Sequence, residues 1–596
     1  MDKAQIQLAV IVTGIAIAVI GIGLHLSVPG VTRSGYPVFV GGNDYAVESI
    51  ELTLGSSEYS FGIEFMGPEQ TPKEYFSVYL LDSNQFTEWN SGTPIDEVSA
   101  PIQFIGDNRA IYETSFTSSF DLYVVIFNFD DAEAIWTYYY AALPSLFYPF
   151  LVIGFSGVFI ALCGFGWRLS GWKRYLVAGV SVNLVLFFVR IFTLSTYSLG
   201  LPDIFLELIH VELYNDYQFF YLSWVPNLLE GAWPYSAEMF YYLYPPLWIY
   251  TVAILGCVPS WLPGLPLLLF NVAPGIPVYK IVLNLSEDER RSIYAMLVYL
   301  LNPITLFYGS FMLLNPTPYV FFVACSFCLT LEGKSDLSIV TIAVATLYKQ
   351  LAVVFFPILA IAYIKKEKEF SYGHMLKTFL RCTTIYAGIL LVVSLPFLIV
   401  NAEQYLNQMI FWNTGIYERL VVFIPDLWMP VHLGSFFLWI GAPTWLTDTI
   451  AFLLVNYIFL ALSGIVVYGL YATFKPDSDS TKDNEGRYRK IIAKGLLWGF
   501  IAVLCVQLFY PRGAYKFYLL ALVPFLAILF DYKNLDFHEA LPYRFEKHHL
   551  LPIVLSWAVF LCFRFVYFWL LAAWGIFYFW KGGELHRISR LPNWRS

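Results

Sequence analysis

The sequence contains few charged residues, because Asp, Glu, Lys and Arg make up only 13% of its 596 positions. Soluble globular proteins contain about 25% of these residues, whereas 58% of this chain is hydrophobic and 19% is aromatic. Uncharged runs of around 20 residues recur along the chain, and each could cross roughly 30 Å of hydrocarbon. The composition therefore excludes a soluble globular protein and predicts an α-helical polytopic membrane protein with about thirteen transmembrane helices.

Cysteine is also scarce, and its positions exclude a domain stabilised by disulfide bonds. All seven cysteines lie in or beside apolar segments, and residues 30–142 contain none. A small secreted fold built on disulfides is therefore excluded for that segment. Cys325 and Cys328 lie within an apolar run, where packing is the simpler interpretation than a redox or metal-binding pair.

The charges are distributed unevenly and orient the chain in the membrane. Residues 28–142 contain 17 acidic but only three basic side chains, whereas the remainder contains 32 basic and 27 acidic ones. Short cytoplasmic loops are enriched in Lys and Arg. We therefore predict that the basic loop with Arg168, Lys173 and Arg174 is cytoplasmic. The charged loops at 286–291, 332–336, 365–369 and 475–490 are predicted to lie on the same side. The acidic segment and the loop at 200–262 are predicted to be extracytoplasmic.

The pattern of apolar residues predicts four regions. Residues 1–29 are predicted to form a membrane anchor helix, with a cleaved signal peptide as the alternative. Residues 30–142 alternate in short strand-like runs split by Gly, Pro, Asn and Asp, which is typical of a β-sandwich. Residues 143–531 are predicted to form the transmembrane core, and residues 532–596 a C-terminal loop and transmembrane segment.

Candidate catalytic groups are concentrated in the loop at 200–262. Glu212 and Asp216 are four residues apart, so they would share one face of a helix. Asp216 follows an apolar span closely and is flanked by Tyr217, Phe219 and Phe220. A carboxylate at this boundary could act as a general base on a hydroxyl group. The alternative is a solvated acid at the membrane interface.

Three short motifs in this loop occur in a recognisable order. They are Asp216-Tyr217-Gln218, the run from Glu230 to Tyr235, and Tyr244-Pro245-Pro246-Leu247. In this order they resemble the first external loop of the GT-C superfamily of membrane glycosyltransferases. They are especially similar to the catalytic subunit of GPI mannosyltransferase I and related polyprenyl-phosphate-mannose-dependent enzymes.

The resemblance extends over about residues 175–530 but includes two departures. It continues in the run LLNPITLFYGS (300–310), in Tyr348-Lys349-Gln350 and in residues 510–524. The family's first aspartate is replaced by Tyr214, so a metal site with two carboxylates is in doubt. The family's acidic motif after the Asn-Pro span is also missing, since the chain reads Asn315-Pro316-Thr317-Pro318.

The resemblance implies a GT-C fold and an inverting glycosyltransferase. Such an enzyme would transfer a hexose such as mannose from a polyprenyl-phosphate donor to an extracytoplasmic or lumenal glycan or glycolipid. Asp216 would be the catalytic base. Positive charge near the phosphate would stabilise the leaving group. The residues implied in substrate binding are Glu212, Gln218, Trp233, Tyr235, Tyr244, Lys349, Gln350, Arg512 and Lys516.

The implied partners are the lipid-linked donor, the acceptor and the bilayer, without nucleic acid. No cofactor and no bound metal is predicted. Binding of a divalent cation at the single aspartate is the alternative. The unusual N-terminal segment favours the plasma membrane of a prokaryote over the endoplasmic reticulum. Two other classes fit the sequence: a transporter or flippase of lipid-linked or anionic substrates, and a non-catalytic sensor or assembly factor.

Overall fold

The computed structural model divides the chain into two compact units. The first contains residues 1–165 and 188–200, and the second contains residues 166–187 and 201–596. The structure describes residues 3–27, the strands and two short helices between 37 and 142, and residues 147–193. It also describes 223–257 and 264–406 with short gaps, then 484–509, 516–530, 547–561 and isolated positions from 409 to 573. The statements below apply to these residues.

The first unit contains eight strands arranged in two antiparallel sheets. One sheet has the order β1-β8-β3-β6-β5 and the other β2-β7-β4. The strands are β1 (Pro37–Val40), β2 (Asp44–Ile50), β3 (Ser57–Phe65), β4 (Phe76–Asp82), β5 (Phe104–Ile105), β6 (Arg109–Phe116), β7 (Leu122–Asn128) and β8 (Ala134–Ala142). Strands thus occur in the segment where alternating residues predicted them. Their arrangement as an extracytoplasmic sandwich stays a prediction.

Two short helices, α2 (Ser83–Asn90) and α3 (Ile95–Val98), cover a small core on the three-stranded sheet. Helix α2 begins with a capping box: Asp82 accepts from the Gln85 amide at 2.8 Å, and the Gln85 side chain accepts from the Asp82 amide at 2.9 Å. Tyr79 donates to Asp96 at 2.5 Å. Burial and this acidic partner raise the pKa of Tyr79 to about 12. Its hydroxyl therefore stays protonated and joins the sheet to α3.

Helices α1 (Lys3–Ser27) and α4 (Phe147–Arg168) of the first unit approach each other at small residues. A Cβ atom added at Gly157 would lie 2.7 Å from both Ala18 Cα and the Gly14 carbonyl oxygen. Only glycine therefore fits at this position. Such small-residue contacts allow membrane helices to pack backbone to backbone.

We expect the Gly157→Leu substitution to separate α1 from α4 and to lower the thermal stability of the protein in detergent. The reason is that the new side chain meets backbone atoms, which cannot move without shifting a helix. Overpacking of this kind typically costs about 1–3 kcal/mol, and occasionally more. The matched control is Phe159→Leu on the same helix, where the side chain is exposed. Equal melting temperatures for the two variants would contradict this packing.

The rest of the described chain is helical. Its α-helices are α5 (Trp172–Thr193), α6 (Ser223–Leu229), α7 (Pro246–Cys257), α8 (Leu265–Val272), α9 (Gly275–Ser286), α10 (Glu289–Leu300), α11 (Pro316–Leu331), α12 (Ser335–Tyr348), α13 (Phe356–Lys366), α14 (Tyr372–Leu406), α15 (Asn484–Phe509), α16 (Val523–Ile528) and α17 (Leu551–Leu561). A π-helix covers Thr305–Phe311, and 3-10 helices cover Gln350–Phe355, Lys516–Ala521 and Lys547–Leu550. Helix α14 is broken at Asn401.

Several of these helices are apolar enough to cross a membrane. Within the described ranges, three segments meet both the length and the hydropathy required, namely Leu265–Ser286, Tyr372–Leu406 and Tyr488–Gln507. A fourth is added if α10 and the π-helix, which are bent by 58°, form one span. The predicted helical membrane fold is thus confirmed in this coarse form. The number of thirteen spans stays a prediction.

A buried polar cluster lies where the helices of the second unit are irregular. The Asn271 amide, near the break between α8 and α9, donates to Ser310 Oγ at 2.8 Å and to the Thr305 carbonyl at 3.1 Å. Ser310 in turn donates to Asn183 Oδ1 at 2.6 Å, and Asn183 donates to the Leu300 carbonyl at 2.9 Å. These hydrogen bonds join α5, α8 and the π-helix through side chains that are not exposed to solvent.

Charged loops of the second unit meet at one end of its helices. Lys280 contacts Glu332 at 2.8 Å, which joins the middle of α9 to the loop between α11 and α12. Arg489 pairs with Glu287, and Arg381 pairs with Asp336. These pairs connect α9, α12, α14 and α15 with the loops that follow α9 and α11, and together they define a charged end of the unit. Its assignment to the cytoplasm is a prediction.

Candidate functional site

Aromatic side chains gather at the end of the second unit that is opposite the charged end. Tyr235 is 1% exposed, and its ring centroid lies 5.1 Å from that of Tyr405 and 5.5 Å from that of Phe397. Trp233 lies 5.5 Å from Phe397. The hydroxyl groups of Ser394 and Tyr405 are 2.9 Å apart, and their hydrogen bond joins the two parts of α14 on either side of its break. We call Trp233, Tyr235, Phe397 and Tyr405 the aromatic cluster.

The turn that presents this cluster follows from the local sequence. Gly231 has a φ of +91°, and its amide donates to the Leu228 carbonyl at 3.1 Å. A left-handed residue that ends a helix is usually glycine, which has no Cβ to clash. The glycine after Glu230 therefore ends α6 and turns the chain into the run containing Trp233 and Tyr235.

A second segment, from Tyr244 to Trp248, is attached to the aromatic cluster. The Tyr235 hydroxyl donates to the Tyr244 carbonyl at 3.2 Å. The Tyr244 ring lies 5.9 Å from Trp224 and 5.6 Å from Trp248, and both tryptophans are buried. Pro246 is the first residue of α7, where its missing amide hydrogen costs no helical hydrogen bond. The Tyr-Pro-Pro-Leu motif therefore begins a helix and supports the cluster.

Lys349 lies at the same end, between two tyrosine rings. Helix α12 ends at Tyr348, and Lys349 is extended before the 3-10 helix begins at Gln350. Its ammonium nitrogen is 4.0 Å from the ring centroid of Tyr518 and 5.7 Å from that of Tyr319. A cation over an aromatic face is stabilised by about 0.5–2 kcal/mol. The rings thus hold a positive charge in place.

Contacts beside Lys349 connect it to the other motifs. The Tyr348 hydroxyl accepts a hydrogen bond from Thr251 of α7 at 3.2 Å. The Gln350 amide lies 3.6 Å from Met409 Sδ, which is in the segment just after α14. Because α7 follows Tyr244 and α14 carries Tyr405, Lys349 and the aromatic cluster belong to one end of the unit.

An apolar crevice lies next to Lys349. It runs between α9, α11, α15 and α16, and its lining includes Tyr319, whose ring contacts Lys349. The other lining residues are Ile281, Val320, Val323, Ala324, Phe327, Phe355, Leu496, Val503, Ala521, Pro524, Phe525 and Ile528. The crevice has room for about one water molecule, so the groups at this end that could contact a sugar or a phosphate are the aromatic rings and Lys349.

The structure brings together five of the residues implied in substrate binding. Trp233, Tyr235, Tyr244, Lys349 and Gln350 lie at one end of the unit, and the 3-10 helix that begins at Lys516 contributes Tyr518 to the same place. The side chain of Lys516 is not described. The other implied residues lie outside the described part of the chain: Glu212, Asp216, Gln218 and Arg512.

The sequence did not indicate several residues of this site. Tyr319, Phe397, Tyr405 and Met409 come from helix ends that no motif marks, and aromatic residues at helix ends are common in all membrane proteins. Among the described residues, His, Cys, Asp and Glu side chains form no group of three that could hold a metal ion.

One comparison with known proteins gives a match. Residues 227–420, about a third of the chain, match the family model described as PIG-U, GPI transamidase subunit PIG-U. No curated protein matches the chain. The segment is thus similar to a membrane protein of the GPI pathway, and the chain is an integral multi-pass membrane protein. Similarity to GPI mannosyltransferase I is not shown.

This match contradicts the predicted activity. The matching family is described as a subunit of a transamidase, not as a glycosyltransferase. The prediction of a hexosyltransferase that uses a polyprenyl-phosphate sugar, with Asp216 as its general base, was therefore wrong, and so was the donor expected as a partner. The matched segment contains the Glu-Gly and Tyr-Pro-Pro-Leu motifs, which in this structure end α6 and begin α7. In the described part of the chain these motifs therefore have a structural role.

Proposed function

We propose that the chain is a non-catalytic subunit of a membrane transamidase complex and helps to position a glycolipid for attachment to protein. One observation carries the proposal. The match to GPI transamidase subunits covers residues 227–420 and so includes the aromatic cluster, Tyr244 and Lys349. Tyr518, the ring nearest to Lys349, and the crevice residues of α15 and α16 lie outside the matched segment. Of the classes that fit the sequence, a non-catalytic assembly factor agrees best with this match.

The proposal includes a binding role for the candidate site. Trp233, the half-buried member of the aromatic cluster, would contact the glycan of the lipid, and the buried rings of the cluster would hold it in position. Lys349 would contact a phosphate, and its position between Tyr319 and Tyr518 limits the movement of its charge. The family match favours the endoplasmic reticulum over the prokaryotic plasma membrane. About thirteen spans and an extracytoplasmic β-sandwich remain part of the proposed architecture.

Removal of the chain from its own cells tests this function. A transamidase subunit acts after the glycolipid is complete, so we expect its loss to leave complete glycolipid and unprocessed precursor protein. Lipid extracts and a secreted reporter with an attachment signal would measure both. A defect in sugar transfer would instead leave truncated glycolipid.

Re-expression of the wild-type chain is the control and should restore processing of the reporter. Accumulation of a truncated glycolipid, or normal attachment of the reporter in the absence of the chain, would reject the proposed function. Co-purification of the chain with transamidase activity, measured as attachment of the glycolipid to the reporter, would provide a second readout.

A further inference from the structure

Three lysine ammonium groups from separate segments meet at the loop between α11 and α12. Lys280 of α9 and Lys334 of the loop each contact one oxygen of Glu332, both at 2.8 Å. Lys366, at the end of α13, donates to the Gly333 carbonyl oxygen at 2.6 Å. We call Lys280, Lys334, Lys366 and Glu332 the lysine cluster.

The lysine cluster has an excess of positive charge. Hydrogen bonds from Lys280 and Lys334 lower the pKa of Glu332 to about 2, so this carboxylate is ionised at neutral pH. It supplies one negative charge against three positive ones. Lys366 contacts a carbonyl oxygen, which has no net charge. The nearby Arg381–Asp336 pair is neutral as a whole and does not reduce the excess.

The ammonium groups can still bind a ligand. Each lysine has three N–H donors, and the contact described for each uses one of them. The Lys280 and Lys334 side chains are 47% and 57% exposed. A phosphate oxygen could therefore reach them from outside without unfolding of the loop.

The position of the cluster favours a lipid over a soluble anion. Lys280 belongs to the apolar segment Leu265–Ser286, six residues before its end, and Lys366 is the last residue of α13. Leu337, in the first turn of α12, is 49% exposed. A ligand here can contact lysine and apolar surface at once. Anionic lipids attract basic residues at the cytoplasmic surface, the side predicted for this loop.

We propose that the lysine cluster binds the headgroup of an anionic phospholipid. Its phosphate oxygens would accept hydrogen bonds from Lys280, Lys334 and Lys366, in competition with Glu332, and an acyl chain would lie against Leu337. This site is at the charged end of the second unit, distant from the aromatic cluster. The inference does not depend on the proposed function.

Titration of the purified full chain in detergent tests the proposal. The probes are short-chain phosphatidylserine, short-chain phosphatidylcholine and inorganic phosphate, with binding measured by native mass spectrometry. We expect phosphatidylserine to bind more tightly than the other two. A Lys280→Gln, Lys334→Gln, Lys366→Gln triple variant should weaken its binding roughly 100-fold, about fivefold for each lysine.

Two further variants separate a built site from general surface charge. Glu332→Gln removes the competing carboxylate, so we expect phosphatidylserine to bind about fivefold more tightly. A Lys173→Gln, Arg174→Gln, Arg290→Gln variant removes three exposed positive charges elsewhere and should change binding less than about twofold. Thermal melting would confirm that each variant is folded.

The contrary outcomes are distinct. Equal losses in the two triple variants would show diffuse attraction to surface charge and would overturn the site. Weaker binding by a folded Glu332→Gln variant would overturn the competition between the carboxylate and the lipid. If inorganic phosphate binds as tightly as phosphatidylserine, the ligand of the lysine cluster is a soluble anion and the proposed lipid site is overturned.

Discussion

The Tyr235→Ala substitution is expected to lower the free energy of unfolding by about 3–5 kcal/mol and to abolish attachment of the reporter protein. Tyr235 is 1% exposed and contacts Trp233, Phe397 and Tyr405, so its removal leaves a cavity where three segments meet. A wall of the candidate site would be lost together with this packing. Thermal melting in detergent and reporter processing in cells measure the two effects.

One further substitution separates the contribution of the Tyr235 ring to stability from that of its hydroxyl group, and another serves as a control. Tyr235→Phe keeps the ring and removes only the 3.2 Å hydrogen bond to the Tyr244 carbonyl, which we expect to cost about 0.5–1.5 kcal/mol. Tyr372→Ala is the matched control, because that side chain is 91% exposed. If Tyr235→Ala melts at the wild-type temperature and processes the reporter normally, the aromatic cluster contributes neither to stability nor to function.

The second large effect is expected at Gly309, which borders the buried polar cluster. A Cβ atom at this position would overlap the Asn271 side chain, with the amide nitrogen 2.5 Å away. Gly309→Ala would therefore displace the amide that donates to Ser310 and to the Thr305 carbonyl. Each buried polar group left without a partner costs about 1–3 kcal/mol. We expect a clear fall in the melting temperature, since several such groups are affected.

A double variant distinguishes this overlap from a general loss of helix flexibility. Adding Asn271→Ala to Gly309→Ala removes the clash, so the double variant should be more stable than the sum of the two single effects predicts. Gly388→Ala is the control, because a Cβ atom there meets no other atom within 4 Å. Strictly additive effects at Asn271 and Gly309 would contradict the described contact.

The sequence predicted the parts of the site that are joined by short motifs. Gly231 and Pro246 mark a helix end and a helix start, and the order of the motifs placed Tyr235, Tyr244 and Lys349 together. The positions of Phe397 and Tyr405 could not be predicted in this way. They lie on a helix whose break at Asn401 depends on tertiary packing, and apolar periodicity does not specify which neighbour a membrane helix contacts.

The fold was predictable to a similar degree. Low charge predicted membrane helices, and the alternation of apolar spans placed the charged loops on one side, in agreement with the charged end where Lys280 meets Glu332. The π-helix at Thr305–Phe311 and the network around Asn271 were not predicted, because their hydrogen bonds join residues far apart in the chain.

The error in function has a physical explanation. Tyr235, Tyr244 and Asn302 occur in the motifs on which the resemblance to glycosyltransferases rested, yet in this structure their described contacts are internal. Tyr235 donates to Tyr244, and the Asn302 side chain donates to Ser556 at 2.8 Å. Residues that hold a fold together can persist after its chemistry changes. Their presence therefore indicates architecture more strongly than activity.

The polar cluster also has a consequence for how the chain is made. Asn183 accepts a hydrogen bond from Ser310, which is 127 residues further along the chain. At roughly 5–20 residues per second, synthesis reaches Ser310 roughly 6–25 s after Asn183. In the predicted topology α5 enters the membrane early in that interval, before Asn271 and Ser310 have been made, and an amide oxygen without a partner is costly in hydrocarbon. We therefore expect the nascent helix to stay beside the insertion machinery, or a chaperone within the membrane, until Asn271 and Ser310 arrive.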